Sequence, residues 1–331
     1  MNELFIKLLS TVEHTINQYH MFTNNSAYVA LSGGKDSLFL CLALKELGYK
    51  VTGVTVDIGY NVSWSILKQN AENLGIDLLI LTADSLLGCS SKYIVQSVLS
   101  CFDHVKSLVE HPVGVETICT PCYNAKIIIL KQWAESNHIN EIAFGHHATD
   151  SIASLLKSYF YYYDHICCGS LNFEYKKFEK LVRLKSTLLI DESNGLEWKK
   201  IIEHLNELSQ KRIIGTDEPL KKYMEDSVVQ IVRPLFYIFE NEIKEFFSSQ
   251  EIEFERSECI VSNYFDSITY SPRQMMYHYI TNQMSIIRQK ELLNIVKTEL
   301  DDKGFLKYNV RNNRDKILGK YKTSDKTKIK L

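Results

Sequence analysis

The sequence predicts an α/β protein built on a parallel sheet with helices on both faces. Three observations lead to this prediction: strand-like segments alternate with helical ones over residues 28–147, the first strand runs directly into a glycine loop and a helix, and the 331 residues suffice for one large or two modest domains at about 150 residues each. Ligands of such sheets bind at the carboxyl ends of the strands. Residues able to do chemistry are therefore expected there.

The predicted elements follow in a regular order. An amphipathic helix comes first, with apolar residues at helical spacing: Leu4, Phe5, Leu8, Leu9, Val12 and Ile16. Next come a strand over 28–31, a helix over 38–47 ended by Gly48, a strand over 51–57, a helix over 63–74 ended by Gly75, a strand over 78–82, a helix over 123–136 and a strand over 141–145. A strand over 228–232, a helix from about 240 and one last helix over 275–300 complete the pattern.

Changes in sequence character divide the chain into five predicted segments. They are an N-terminal helix (1–24), a first part of the sheet domain (25–158), a helical insertion (159–226), a second part of the sheet domain (227–274), and a C-terminal helix with a basic tail (275–331). The insertion opens with an aromatic run over 159–163. Burial of these rings in the insertion's own core and stacking on an extruded nucleobase are both open.

Composition excludes several classes of protein. With 45% hydrophobic and 24% charged residues, the chain is an ordinary folded protein, and the net charge of -2 gives no global attraction to polyanions. Contact with nucleic acid must then come from a local patch, such as the cationic tail beyond Lys307, although a solvated tail explains that charge equally well. No apolar run approaches the roughly 20 residues needed to cross a bilayer. We expect a cytoplasmic protein without a membrane partner.

The glycine loop has the sequence Ser32-Gly33-Gly34-Lys35-Asp36-Ser37. Adjacent glycines let the backbone approach an anion closely, and the helix that follows offers unpaired N–H groups to phosphate oxygens. Lys35 adds a cation, and a carboxylate such as Asp36 beside a triphosphate is a suitable Mg²⁺ ligand. The spacing matches neither G-x-x-x-x-G-K-[ST] nor G-x-G-x-x-G. The loop is thus either a different phosphate cradle or a tight turn with incidental polar residues.

The eight cysteines are too few for a disulfide scaffold. Cys119 and Cys122 form a C-x-x-C pair just before a predicted helix, where a helix N-terminus lowers the pKa of thiols. Two ligands do not complete a structural zinc site, so a redox or persulfide pair without metal is one reading. The remaining candidates for a third ligand are Cys41, Cys89, Cys101, Cys167, Cys168 and Cys259. Cys41, Cys89 and Cys101 are most simply small core residues.

The glycine loop resembles the phosphate-binding loop of the PP-loop ATP pyrophosphatases, an adenine nucleotide alpha hydrolase-like superfamily whose members split ATP into AMP and pyrophosphate. The order of that loop, the C-x-x-C pair, Gly145-His146-His147-Ala148-Thr149-Asp150, Val232-Arg233-Pro234-Leu235 and Cys259 further resembles the tRNA 2-thiocytidine synthetases and their thiolation relatives. This resemblance implies that ATP and Mg²⁺ bind at the loop. It also implies that Cys119, Cys122 and Cys259 hold a 4Fe-4S cluster with one iron open to sulfide.

The resemblance assigns roles to further residues. We assign catalysis to Lys35, Asp36, Cys119, Cys122 and Asp150. The residues assigned to nucleotide binding are Ser32, Gly33, Gly34, Lys35, Asp36, Ser37, Asp57, His146 and His147. A purely structural role for the two histidines is the alternative. The chain departs from the family pattern at Thr149, where an Asp is usual, and at Ser262, where a second C-x-x-C is often completed.

The expected reaction is adenylation of a carbonyl oxygen followed by its replacement with sulfur. The expected acceptor is tRNA, with a small molecule as the alternative, a sulfide or persulfide as sulfur donor and a homodimer as a candidate assembly. Two other hypotheses stay open. One is a nucleotide-binding interaction protein that lost its chemistry with the Asp at position 149. The other is a ligase of the amide or lysidine type, which needs no thiols.

Overall fold

The structure is a computed structural model that describes residues 3–58, 64–82, 126–127, 129–157, 229–248, 252–254 and 272–302. Its centre is a five-stranded sheet in the order β3-β2-β1-β4-β5, with every neighbouring pair parallel. The strands are β1 (Ser26–Ala30), β2 (Lys50–Asp57), β3 (Asp77–Thr82), β4 (Glu141–Phe144) and β5 (Gln230–Val232). The strand order reverses between β1 and β4, so the switch point at which such sheets bind ligands lies between their carboxyl ends.

Helices cover both faces of this sheet, which confirms the predicted fold class. They are α1 (Glu3–Tyr19), α2 (Lys35–Glu46), α3 (Ser65–Leu74), α4 (residues 129–136), α5 (Ala148–Lys157), α6 (Glu240–Ser248), α7 (Pro272–Gln283) and α8 (Ile286–Asp302). Val29 of β1 is buried in a core that it shares with α1 and α2. Tyr28 faces the other way, as successive strand residues do, and its ring lies 5.6 Å from that of Trp133 in α4.

Two clusters of buried apolar residues can be distinguished among the described residues next to these helices. The first core joins α1, α2, the strands and the carboxyl-terminal part of α6; its members include Phe5, Leu8, Val29, Phe39, Ile243 and Phe246. The second core joins α5, α7, α8 and the segment before α6; its members include Ile152, Leu155, Phe236, Phe239, Ile280 and Val296. Helix α6 thus connects the two cores, because Phe239 precedes it in the second and Ile243 lies in the first.

Most predicted elements appear within a few residues of their expected bounds. The amphipathic N-terminal helix is confirmed, with five of its six listed apolar residues buried and Leu4 packed against the same core. Helix α2 begins at Lys35, three residues before the predicted start, because Gly34 has the extended backbone of a helix N-cap. Gly48 and Gly75 have positive φ angles of 86° and 59°, and they end α2 and α3 as predicted.

Two predictions about helices were wrong or incomplete. The single helix predicted over 275–300 is in fact α7 followed by α8. Ser285 breaks the run because its hydroxyl accepts the N–H of Arg288 at 3.4 Å, while the Gln289 side chain donates to the carbonyls of Ile280 and Met284, both at 3.0 Å. These bonds satisfy the end groups of both helices. Helix α5, which directly follows His147, was not predicted.

Several predicted features lie outside the described residues. They are the insertion over 159–226, the basic tail beyond 307 and the cysteines Cys89, Cys101, Cys119, Cys122, Cys167, Cys168 and Cys259. Cys41 is described, and its complete burial confirms its prediction as a small core residue. Among the described helices, none is long and apolar enough to cross a membrane.

Candidate active site

The glycine loop lies between the end of β1 and the start of α2, and its two serines hold it together. The Ser32 and Ser37 hydroxyls are 3.1 Å apart, Ser37 Oγ accepts the Ser32 N–H at 3.3 Å, and the same hydroxyl donates to the Gly34 carbonyl at 3.0 Å. Gly33 has a φ of 85°, which favours glycine. The first N–H groups of α2 have no acceptor within their own helix. The loop is therefore shaped as an anion site.

Lys35 is the centre of a cluster of charges at this loop. Its Nζ lies 2.9 and 3.1 Å from the two oxygens of Asp36 and 2.8 Å from Glu240 Oε1. Lys244 lies 3.0 Å from the same Glu240 oxygen. Burial lowers the pKa of Lys35, but the carboxylates of Asp36 and Glu240 outweigh burial and hold that pKa above its ordinary value. Lys35 is thus a fixed cation at the mouth of the loop.

His147, at the carboxyl end of β4, reaches the same cluster. Its side chain is completely buried, and its Nε2 lies 3.7 Å from Asp36 Oδ1, 3.7 Å from Glu240 Oε2 and 3.2 Å from the Tyr277 hydroxyl. On the other side of the ring, Nδ1 is 3.5 Å from Asp150 Oδ2, and the same oxygen accepts the backbone N–H of His147 at 3.1 Å. Asp150 therefore caps the start of α5 and fixes the position of the histidine.

Gly145 allows β4 to approach the glycine loop this closely. A Cβ at this position would lie 2.9 Å from Ser37 N and 3.0 Å from both Asp36 C and Ser37 Cα. All three are backbone atoms of the first turn of α2, so they have little freedom to move. A side chain at 145 would push the histidine segment and the glycine loop apart.

Thr149, which stands where the resembled family usually has Asp, makes a structural contact in this chain. Thr149 is buried, and its hydroxyl accepts the backbone N–H of Glu240 at 3.1 Å. This bond joins the first turn of α5 to the first turn of α6. Threonine at this position thus satisfies an end group of α6, and the carboxylates around Lys35 come from Asp36 and Glu240.

The other two residues predicted to bind nucleotide, His146 and Asp57, contact partners outside this cluster. The His146 ring stacks on Phe144 with centroids 5.7 Å apart, and its Nδ1 accepts a hydrogen bond from Arg233 Nε at 3.3 Å. Asp57, at the end of β2, accepts the Trp64 indole N–H at 3.3 Å. The structure brings Lys35, Asp36, His147 and Asp150 together, whereas His146 and Asp57 contact other partners.

Sequence reasoning missed three members of the cluster, Glu240, Lys244 and Tyr277. Glu240 is the first residue of α6, and its side chain is 4% exposed. The sequence did offer a signal for Glu240, because it is a carboxylate at the predicted start of a helix that follows β5. Tyr277 lies within a helix that carried no motif, and nothing in the sequence singled it out.

Comparisons with known proteins show which families this sequence resembles. Residues 26–153 match the family model of the queuosine biosynthesis protein QueC, a PP-loop family. The tRNA-5-methyluridine(54) 2-sulfurtransferase of Thermotoga maritima is 27% identical over 206 residues, which are 60% of this chain and 60% of that protein. The tRNA-cytidine(32) 2-sulfurtransferase of Coxiella burnetii is 31% identical over 164 residues, 47% of this chain and 56% of that protein. The chain thus matches less than two thirds of the length of either relative.

A solved structure described as the predicted subunit of a tRNA methyltransferase from Methanocaldococcus jannaschii is also similar. It is 15% identical, has a TM-score of 0.36, and the match covers 75% of this chain and 90% of that one. The sequence matches confirm the resemblance to PP-loop proteins and, among them, to enzymes that thiolate tRNA.

Proposed function

We propose that this chain is an ATP-dependent sulfurtransferase that adenylates a carbonyl oxygen of a tRNA base and replaces that oxygen with sulfur. The observation that carries the proposal is the meeting of an anion-binding loop with Lys35, Asp36 and the buried His147 at the carboxyl ends of β1 and β4. The 2-sulfurtransferase relatives support the same chemistry. The sheet with this loop supports the adenylation step, and the relatives support sulfur as the atom that replaces the oxygen.

In the first step, the pyrophosphate end of ATP binds on residues 32–37. The carbonyl oxygen attacks the α-phosphorus, the bond from that phosphorus to the bridging oxygen breaks, and pyrophosphate leaves. Lys35 neutralises charge on the departing group. The Asp36 carboxylate would be a protein ligand of Mg²⁺, and the phosphate oxygens of ATP would supply further ligands. His147, fixed by Asp150, is placed to orient the groups that react.

In the second step, hydrosulfide adds to the activated carbon, gives up its proton, and the carbon–oxygen bond breaks with AMP as the leaving group. Cys119, Cys122 and Cys259 are a set of three thiolates, the donor type that holds iron–sulfur clusters. These three cysteines would hold a 4Fe-4S cluster, which would supply sulfide as the nucleophile. A sulfide source, or a persulfide together with a thiol that reduces it to sulfide, is the second substrate, and a homodimer is a candidate assembly.

The proposal is tested by thionucleoside analysis of tRNA from cells with and without the gene. We expect one thionucleoside to disappear in the deletion strain. Unchanged thionucleosides, together with AMP formation by the purified protein, would favour a small-molecule acceptor. With a functional acceptor, the nucleotide products must be AMP and pyrophosphate, and ADP as the stoichiometric product would exclude attack at the α-phosphorus.

The cluster is tested separately on anaerobically purified protein. We expect a brown protein with about four irons per chain, measured by absorption and by iron and sulfide analysis. Serine at Cys119, Cys122 or Cys259 should abolish the cluster, whereas Cys41→Ser is the matched control and should retain it. Retention in Cys259→Ser would instead direct attention to Cys167 or Cys168, and zinc alone would contradict the cluster.

A further inference from the structure

Glu240 is a buried carboxylate with two cations on one oxygen. Its side chain is 4% exposed, and Oε1 lies 2.8 Å from Lys35 Nζ and 3.0 Å from Lys244 Nζ. Oε2 has no hydrogen-bond partner among the described residues and lies 3.7 Å from His147 Nε2. Because a buried charge is costly without a partner, the folded state must keep a cation beside this group.

Lys35 has no hydrogen left for another acceptor while Glu240 holds it. An ammonium group has three N–H donors, and Lys35 Nζ lies within 3.1 Å of three oxygens: both oxygens of Asp36 and Oε1 of Glu240. A phosphate oxygen that binds Lys35 directly must therefore replace one of these acceptors. Asp36 adjoins Lys35 in the same turn, whereas Glu240 comes from a different helix.

Lys244 makes Glu240 the acceptor that can be released. Its side chain is 53% exposed and sits one helical turn after Glu240, at the favourable i, i+4 spacing. When Lys35 turns toward a phosphate, Glu240 keeps Lys244 as its counterion and is not left as an isolated buried charge.

We propose that Glu240 is the resting counterion of Lys35, that a phosphate anion on the glycine loop displaces it, and that Lys244 keeps the released carboxylate paired. This inference depends on the proposed function only for the binding of phosphate at the glycine loop. It requires neither sulfur transfer nor tRNA. Glu240 is in this view a positioning residue, which sets how readily Lys35 is released to the ligand.

The test is the affinity of the full chain for inorganic pyrophosphate, measured by titration calorimetry in metal-free buffer. Glu240→Gln keeps the shape of the side chain but removes the competing charge, so we expect pyrophosphate to bind about tenfold more tightly, the effect of one unit charge at this range. A merely structural role would weaken binding instead. Glu242→Gln is the matched control, because that carboxylate lies on the same helix but pairs with Lys7, and its affinity should change less than about twofold.

A double-mutant cycle separates release of Lys35 from simple repulsion of the ligand. In a Lys35→Ala background, adding Glu240→Gln should improve binding by no more than about twofold, since no lysine remains to be released. An equal gain with and without Lys35 would overturn the inference.

Lys244→Met keeps the inference testable even if Glu240→Gln fails to fold. Lys35 is then the only lysine beside Glu240 among the described residues, so we expect pyrophosphate to bind about threefold more weakly. Lys7→Met removes another exposed lysine, which pairs with Glu242, and this variant should bind as the wild type does. Equal effects of the two lysine changes would contradict the inference. If the wild-type chain does not bind pyrophosphate, the assignment of phosphate to the loop fails as well; if it binds and Glu240→Gln is not tighter, the inference alone fails.

Discussion

The two hydrophobic cores hold different halves of the candidate active site. Lys35 and Asp36 stand on α2, which is anchored in the first core by Phe39 and its neighbours. His147 stands at the start of α5, which is anchored in the second core. Glu240 begins α6, the helix that reaches into both. The site therefore lies at the junction between the two cores. Its geometry depends on how the cores meet as well as on the packing within each of them.

Two contacts define this junction. The backbone of Gly145 touches the first turn of α2, and the Thr149 hydroxyl binds the first turn of α6. The first contact sets the distance between the glycine loop and His147. The second sets the position of Glu240 relative to α5. Both depend on small side chains, or on none, at the ends of elements.

The largest expected effect is on the first core. Phe39 is fully buried against the rings of Phe5, Phe246 and Phe247, so Phe39→Ala should lower the free energy of unfolding by about 3–5 kcal/mol. Ile152→Ala in the second core should cost about 2–4 kcal/mol. Denaturant titration measures both, and hydrogen exchange locates them. Equal loss of protection in α2 and α7 for either variant would show that the cores do not act as separate units.

The next effect concerns chemistry at the junction. Lys35→Ala should reduce the rate of pyrophosphate release from ATP by about 100-fold or more, the scale of removing one preorganised charge stabiliser. The fold should survive, because the buried Glu240 keeps Lys244 as a counterion when Lys35 is removed. A pyrophosphate-release assay and a thermal melt measure the two quantities. An unchanged rate would remove Lys35 from the mechanism.

A smaller effect is expected from closing the gap between the halves. In Gly145→Ala, the new Cβ would press on three backbone atoms of α2, which should cost about 1–3 kcal/mol of stability, as overpacking does. Gly34→Ala is the control for stability, since its Cβ would meet only Ser32 Oγ, at 3.5 Å. If the two alanines proved equally stable by denaturant titration, close contact at Gly145 would not define the junction.

The smallest effect is a pH dependence that belongs to the first core. Burial raises the pKa of the Cys41 thiol above its ordinary value of 9.0, and burial together with Glu13 raises the pKa of Tyr49 above 10.0. Both groups stay protonated in the folded chain at pH values where they ionise in the unfolded chain. The stability is therefore complete below pH 9 and falls as pH rises, by about 1.4 kcal/mol per pH unit from Cys41.

Denaturant midpoints between pH 7 and pH 10.5 measure this fall. Cys41→Ala should move the onset toward the range in which Tyr49 titrates. A decline that began at the same pH in this variant would show that a different group is responsible.

Sequence patterns predicted the fold and, in the site, the residues of the glycine loop and of the histidine pair, but not all of their partners. Strand periodicity followed by glycine located β1, α2 and the loop, and the histidine pair located the end of β4. What the patterns did not give is which side chains converge across the junction. Tyr277 carries no local signature, and Glu240 carries only its position at a predicted helix start, because the roles of both residues depend on partners far away in the sequence. The break at Ser285 was missed because the apolar pattern continues through it. The capping hydrogen bonds that end one helix and begin the next leave no mark in that pattern.

The strand order also has a consequence for how the chain folds. Strands β1, β2 and β3 pair through connections about as long as one helix, whereas Tyr28 of β1 pairs with Ile142 of β4, which closes a loop of more than a hundred residues. Longer closures cost more entropy and slow the contacts that need them. We therefore expect the glycine loop to form on a nascent three-stranded unit before His147 and Glu240 arrive, so the binding of phosphate would report an early folding event and the complete charge cluster a late one.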